Sequence, residues 1–215
     1  MKKLFLKQAL AVAIMLLSGI VSYAASSGKC GDNLTWTMDD AGNLVITGSG
    51  DMYDVYDSQY NPWTDSKVTT VKFPGGLTSI GYGMFTYTTN LKELNLAGTQ
   101  VKTINGNAFR NSGITTVYLP PTLTEIINSA FWDCSDLEVI RVDVGNTTYD
   151  SRNKCNAVIK TATNKLVMGG NKTVIPSTVK SIGESAFRGR TKLTSLGLHD
   201  AVEEIESFAY AGCTA

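Results

Sequence analysis

The chain has 215 residues, of which 43% are hydrophobic, and its 19 Lys and Arg balance its 19 Asp and Glu. This length can supply one sizeable core, although it does not by itself divide the chain into two domains. Zero net charge, with no cluster of Lys or Arg after residue 7, argues against nucleic acid or another polyanion as a partner.

Residues 1–24 have the features of an export signal. Three lysines precede an apolar run from Ala9 to Val21, and small residues stand at Ser22 and Ala24, the two positions that a signal peptidase reads. A membrane anchor is the alternative, but thirteen apolar residues fall short of the roughly 20 that a spanning helix needs. We therefore predict cleavage after Ala24 and a secreted or cell-surface protein with no membrane span after cleavage.

Residues 25–67 predict an N-terminal β cap. The segment Leu34 to Met38 alternates, residues 39–43 are rich in turn formers, and Leu44 to Thr47 is apolar and β-branched, which together indicate a β-hairpin. An aromatic cluster follows, consisting of Tyr53, Tyr56, Tyr60 and Trp63. The cluster could pack inside the cap, which we favour, or form a stacking platform for sugar rings.

The rest of the chain, residues 68–215, repeats one phrase. Its template is the segment VKSIGESAFRGRTKLTSLGL, which begins at Val179 and has an aromatic residue five positions after an Ile. The repeated aromatic residues, which we call the anchors, are Phe85, Phe109, Phe131, Phe187 and Tyr210. Their spacings are 24, 22, 56 and 23 residues, and a period near 23 indicates a stack of structural repeats.

Each repeat also carries an L-x-x-L-x-L segment that is typical of a short strand. The side-chain period of a strand is two, so the second and third apolar residues point inward and the residue between them points outward. The outward row consists of Lys72, Asn95, Tyr118, Arg141 and Gly197, with Thr70, Glu93, Thr116, Val139 and Ser195 beside it. A second short strand precedes each anchor, and nothing in the repeats predicts more than single helical turns.

The 56-residue interval between Phe131 and Phe187 exceeds two periods. Residues 156–168 contain a strand-like run, a polar turn and a second strand-like run, so we predict a β-hairpin elaboration at about residues 144–172. We favour an enlarged coil with no separate role over a dedicated binding loop.

Four cysteines raise a disulfide question, because export favours disulfides. Cys134 and Cys213 each lie three residues after an anchor, about three coils apart. At about 4.8 Å per coil their Cα atoms would be on the order of 14 Å apart, beyond the roughly 7 Å that a disulfide tolerates. These two are predicted to be buried thiols, and pairing of Cys30 with Cys155 remains open.

The repeats resemble the BspA-like leucine-rich repeats of bacterial surface proteins, whose pattern is I-G-x-x-A-F-x-x-C followed by L-x-x-L-x-L-P. Matching segments are Ser79–Gly81, Ser129–Cys134 and Ser181–Phe187. Ile127 and Glu206 depart from the Gly of this pattern, and Arg190 and Thr88 depart from its Cys. The resemblance implies a β-rich, right-handed leucine-rich-repeat solenoid that is exported and often adhesive. It implies no catalytic residues.

The residues themselves indicate no catalytic, metal or cofactor chemistry. His199 is the single histidine and has no ligand-like Cys nearby, so a zinc site is not expected. The adjacent acids Glu203 and Glu204 lie in a strand and face opposite sides, which excludes a carboxylate pair. We therefore expect a protein that is not an enzyme and needs no cofactor.

Three functions are compatible with these observations. The leading hypothesis is an exported or cell-surface, adhesin-like module that binds a host matrix or bacterial surface protein, with Lys72, Asn95, Tyr118 and Arg141 as ligand-binding residues. The alternatives are a glycan-binding module, on the cap aromatics, and the targeting region of a longer enzyme. The sequence ends at Ala215 just past a repeat turn, which leads us to expect a fragment of a longer protein rather than an end covered by a partner.

Overall fold

The computed structural model describes residues 26–57, 61–63, 67–195 and 197–214. Within these ranges the chain forms a β-solenoid of about seven turns with almost no helix, apart from the 3-10 turn Arg152–Lys154. The β-rich solenoid predicted from the repeats is confirmed. The predicted signal peptide and Tyr60 lie outside the described residues.

The N-terminal cap is a three-stranded antiparallel sheet. It consists of β1 (Ser26–Gly31), β2 (Leu34–Met38) and β3 (Asn43–Asp51). The expected hairpin corresponds to β2 and β3, and its inward residues, such as Trp36 and Ile46, are buried. Strand β1 was not expected, because the sequence SSGKCG contains no β-branched or aromatic residue.

Strand β3 starts both strand columns of the solenoid. Its first residues, Asn43 to Val45, pair in parallel with β4 (Thr70–Lys72), and its last residues, Ser49 to Asp51, pair with β5 (Gly76–Ile80). Gly48 lies between these two segments with a φ of 104°, and a Cβ there would lie 1.9 Å from the Asn33 carbonyl oxygen. One bent strand therefore covers the first edge of two columns, which would otherwise be open to pairing with another chain.

Two columns of short parallel strands extend from the cap. One runs from β5 through β7 (Thr103–Ile104) to β9 (Glu125–Ile126). The other is a three-stranded sheet of β6 (Glu93–Asn95), β8 (Thr116–Leu119) and β10 (Val139–Val142), and β4 lies beside β6.

The turns that contain the anchors, which we call the anchor turns, form a third column that contains no strands. The Phe85 and Phe109 amides donate to the carbonyl oxygens of Ala108 and Ala130 in the next coils, with N to O distances of 2.7 and 2.8 Å. The rings of Phe85, Phe109 and Phe131 stack nearly parallel, with centroids 5.2 Å apart at each step. Backbone hydrogen bonds and ring stacking therefore hold the coils in the same register.

The hairpin elaboration interrupts this column of rings. It is formed by β11 (Tyr149–Asp150), β12 (Ala157–Lys160) and β13 (Lys165–Gly169), and the sheet continues in parallel through β14 (Ser181–Ile182) and β15 (Glu204–Ile205). The Gly169 amide donates to Ala186, and a Cβ on Gly169 would lie 2.1 Å from the Phe187 ring. Gly169 thus lies where an anchor ring would otherwise stack. Phe131 and Phe187 belong to two separate hydrophobic clusters, and Phe187 stacks on Tyr210 at 4.9 Å instead.

Arg190 connects the coils on either side of this interruption. Its Nε donates to the Gly169 carbonyl oxygen at 2.8 Å, and its Nη1 donates to the carbonyl oxygens of Phe131 at 3.1 Å and Cys134 at 3.3 Å. The side chain is buried, and loss of hydration lowers the pKa of its guanidinium. The position three residues after an anchor is Thr, Ser or Cys in the other coils. Here it is Arg190, whose side chain is long enough to span the gap between the coils.

The strand expected over Leu193 to Leu198 is not present. The described residues of this segment are not in a strand, and Leu198 is 42% exposed. The preceding coil, at residues 171–176, also lacks a strand there, so the segment has no parallel neighbour with which to pair. Ser195 and Gly197 therefore do not extend the outward row.

All four cysteines are free. Cys30 and Cys155 lie in separate hydrophobic clusters, and burial raises the pKa of the Cys30 thiol to about 11. The Cys134 and Cys213 thiols donate to the Phe109 and Phe187 carbonyl oxygens at 3.0 and 3.2 Å. The Cys134 and Cys213 thiols thus each donate to the preceding coil.

Replacing a ring in the anchor column should destabilise the protein strongly. Phe109 is fully buried between Phe85 and Phe131, so Phe109→Ala leaves a cavity and should lower the free energy of unfolding by about 3–5 kcal/mol, measured by urea denaturation. The matched control is Phe208→Ala, where the ring is 65% exposed and a change below about 0.5 kcal/mol is expected. Equal losses for the two variants would contradict the stacking.

Candidate functional site

Asn95, Tyr118 and Arg141 lie side by side on three parallel strands. The register of the sheet pairs Asn95 with Tyr118 and Tyr118 with Arg141. The strand residues just before each of them, at positions 94, 117 and 140, are fully buried, as strand alternation requires. Successive strands are about 4.8 Å apart, so these side chains form a continuous row.

Lys72 lies at the start of this row but belongs to a different sheet. It is exposed on β4, where it pairs with Val45 of the cap strand β3. Because β4 lies beside β6, Lys72 adjoins the row without sharing its hydrogen-bond register.

A second row accompanies the first. Glu93, Thr116 and Val139 are paired across the same three strands. The Asn95 amide donates to the Glu93 carboxylate at 3.3 Å, and its Oδ1 accepts the Ala97 amide at 3.1 Å. Tyr118, which is 37% exposed, presents an aromatic ring in the middle strand between polar neighbours. We call this face of β6, β8 and β10 the strand face.

Arg141 has a structural role that strand alternation alone did not indicate. Its Nη1 donates to the Ile140 carbonyl oxygen at 2.9 Å and to Asn156 Oδ1 at 2.6 Å. Strand β10 is the edge of its sheet, so this guanidinium satisfies an edge carbonyl and attaches the hairpin elaboration to it. Arg141 is therefore only partly available to a ligand.

A cleft of about 580 Å³ lies where the strand face meets the hairpin elaboration. Its lining includes Arg141, Val144, Ser151, Arg152 and Lys154, and the Val144 side chain is fully exposed. Arg152 forms two hydrogen bonds to the Asp150 carboxylate, at 2.6 and 2.7 Å. Burial raises the pKa of Asp150, but the hydrogen bonds from the Arg152 side chain and backbone and from Thr161, together with the Arg152 charge, outweigh burial and leave the pKa below its ordinary value.

The cap aromatics do not form one platform. Trp63 is buried, in contact with the Trp36 and Phe85 rings, whereas Tyr53 and Tyr56 are 42% and 77% exposed. Tyr56 stacks instead on Tyr82 of the first repeat, with ring centroids 4.8 Å apart. The prediction that the aromatic cluster packs inside the cap is therefore correct for Trp63 and wrong for Tyr53 and Tyr56.

Two further polar residues that the sequence singled out, His199 and Glu203, have local structural partners. His199 Nδ1 accepts the Ala201 amide at 3.3 Å, so we place a proton on Nε2, which lies 2.9 Å from the Pro176 carbonyl oxygen. Glu203 pairs with Lys180 at 2.7 Å. Across the described ranges, no three His, Cys, Asp or Glu side chains are grouped so as to hold a metal ion.

Comparison with known sequences identifies the family. A profile described as a BspA type leucine-rich repeat region matches residues 59–164 and 169–215 in six copies. The chain belongs to the BspA-type leucine-rich repeat family. No curated protein matches the sequence significantly.

Solved structures show the same fold at low sequence identity. A leucine-rich repeat protein from Eubacterium ventriosum is 20% identical, with a TM-score of 0.51, and covers 89% of this chain. The pneumococcal vaccine antigen PcpA is 14% identical, with a TM-score of 0.59, and covers 87% of this chain. The match spans 64% of the Eubacterium protein and 68% of PcpA. Where the structure describes the BspA-type chain, none of its helices has the length and hydropathy to cross a bilayer.

The edge role of Arg141 can be separated from ligand binding. Arg141→Ala removes two hydrogen bonds from the guanidinium and should lower the free energy of unfolding by about 1–2 kcal/mol in urea denaturation. Lys72→Ala removes an exposed cation from the same row and should change it by less than about 0.5 kcal/mol. If the two variants were equally stable, Arg141 would have no such role.

Proposed function

We propose that this BspA-type chain is an exported, cell-surface module that binds another protein in an adhesin-like way and catalyses no reaction. Membership of a leucine-rich-repeat family typical of surface proteins supports a binding role, as does the fold shared with a pneumococcal vaccine antigen. Export rests on the apolar run and the small residues before Ala24.

The strand face carries the proposal. It presents polar, charged and aromatic side chains on three strands that are hydrogen-bonded in register. A ligand that binds there does not have to order loops first, because the backbone is already rigid, and this lowers the entropic cost of association. Repeat solenoids in general bind through such laddered surfaces.

The residues of the strand face favour a protein ligand. Tyr118 can supply the large, rigid apolar contact that is common at the centres of protein interfaces. Asn95 and Glu93 lie beside it and can exchange hydrogen bonds with a backbone or with polar side chains. The cleft next to Arg141 extends this surface toward the hairpin elaboration and has the fully exposed Val144 on its rim.

A binding screen tests the proposal. The chain without residues 1–24 is immobilised and exposed to purified host matrix proteins and bacterial surface proteins, and binding is measured by biolayer interferometry. For any ligand found, Tyr118→Ala should raise Kd about tenfold or more, and Asn95→Ala should raise it by a smaller factor.

Tyr53→Ala is the matched control, because Tyr53 is also an exposed tyrosine but lies in the segment after β3, outside the strand face. It should leave Kd for that protein ligand unchanged. The proposal fails if no protein in the panel binds, or if the bound protein is held equally well by Tyr118→Ala and by the unaltered chain.

A further inference from the structure

A second cleft, of about 210 Å³, lies between the cap and the first anchor turns. We call it the tyrosine cleft. Tyr56, Tyr82, Tyr87, Asn107 and Arg110 line it. It is built from anchor-turn segments and the segment after β3, not from the strand face. We infer that the tyrosine cleft binds one ring of a neutral carbohydrate.

The aromatic wall of the cleft is held in place before any ligand arrives. Tyr56 is 77% exposed, yet its hydroxyl donates to Asp54 Oδ2 at 3.1 Å and its ring stacks on Tyr82 at 4.8 Å. The other oxygen of the same carboxylate accepts the Tyr82 amide at 2.7 Å. Asp54 therefore holds the Tyr56 hydroxyl and the Tyr82 backbone, and stacking holds the two rings together, so a ligand that stacks on them has little ordering cost.

Tyr87 breaks a local rule of the repeat. The position two residues after each of the five anchors has a left-handed backbone, with φ values from 55° to 75°. Asn111, Asp133, Gly189 and Gly212 occupy it elsewhere, and these residue types tolerate such a φ, whereas a bulky ring does not. A residue that opposes its local backbone preference and is also 48% exposed indicates a role other than folding.

The polar lining suits hydroxyl groups. Asn107 Nδ2 donates to the Tyr82 hydroxyl at 2.6 Å, while its Oδ1 is buried with no donor in the described part of the chain. The Tyr82 hydroxyl, which accepts from Asn107, can still donate its own hydrogen.

The charge of the cleft favours a neutral ligand. Arg110 is its cation, and Arg110 Nε lies 3.5 Å from Asp133 Oδ2, so an acidic group already offsets that charge. A pyranose combines an apolar C–H face with a rim of hydroxyls that donate and accept, which matches stacked rings beside planar amide and guanidinium groups. The cleft is compact and therefore suits a single ring more than an extended peptide.

The test uses soluble tetrasaccharides of glucose, mannose, galactose and N-acetylglucosamine. Each is titrated into the chain, and binding is measured by saturation-transfer NMR and calorimetry. At least one should bind with a millimolar or tighter Kd. Tyr87→Asn should then raise the Kd for that saccharide about tenfold. The melting temperature of this variant should be equal or higher, because Asn suits the left-handed backbone.

Tyr56→Ala is the second variant and should raise the Kd for the same saccharide by a similar factor. Tyr53→Ala is the control, because Tyr53 is a nearby exposed tyrosine whose hydroxyl also donates to a carboxylate, that of Asp32, but it does not line the cleft. The inference is overturned if no tetrasaccharide binds, if Tyr87→Asn and Tyr56→Ala bind as tightly as the unaltered chain, or if Tyr53→Ala weakens binding equally. Occupation of the cleft by a proline-rich peptide and by none of the saccharides would also overturn it.

Discussion

The hydrogen bonds between successive anchor turns are the constraint on which the rest of the structure depends. Each coil is too short to bury its own apolar residues, so a coil is stable only when a neighbour covers it. The anchor amides donate directly to the next coil, and the stacked rings of Phe85, Phe109 and Phe131 fix the offset between coils. The strands of both columns are therefore paired with the same offset between successive coils.

The same register determines what the surface can do. Asn95 and Tyr118 are neighbours because β6 and β8 are paired, and the tyrosine cleft forms because Tyr82 and Asn107 lie on consecutive coils. Each proposed site therefore combines residues about 23 positions apart that no local segment could bring together. The two sites use different parts of the coil, so a protein and a saccharide could be bound independently.

The hairpin elaboration is where the repeat is broken, and two arginines join the parts. Arg190 bridges the two hydrophobic clusters through backbone carbonyl oxygens, and Arg141 attaches the edge strand β10 to Asn156. Guanidinium groups suit this role because they donate several hydrogen bonds in a plane over a long reach. The enlarged coil is thereby tied to the solenoid at two points.

Periodicity predicted the parts of the fold that repeat. The spacing of the anchors and the alternation around Leu94 and Val117 gave the solenoid and the inward residues, because stacking and strand pleat follow sequence period directly. The hairpin at residues 157–169 was visible for the same reason, as two apolar runs around a polar turn.

What the sequence could not show depends on contacts between coils. Tyr56 and Trp63 belong to one aromatic cluster in the sequence, but only packing against Phe85 and Tyr82 decides which ring is buried. The guanidinium of Arg141 turns to the sheet edge because β10 has no further strand in its column. Leu198 is exposed because its coil lacks a paired neighbour, although its spacing equals that of Leu96. The left-handed positions flanking the anchors were a missed signal, since Asn and Gly recur there.

Amide hydrogen exchange measured by NMR tests the coil-to-coil register most directly. The amides of Phe85, Phe109 and Phe187 donate to the next coil, so they should be among the slowest to exchange, together with the amides of β8. The amide of Val144, a fully exposed loop residue, serves as the reference for unprotected exchange. Anchor amides that exchange as fast as unprotected loop amides would show that the coils are not joined in this way.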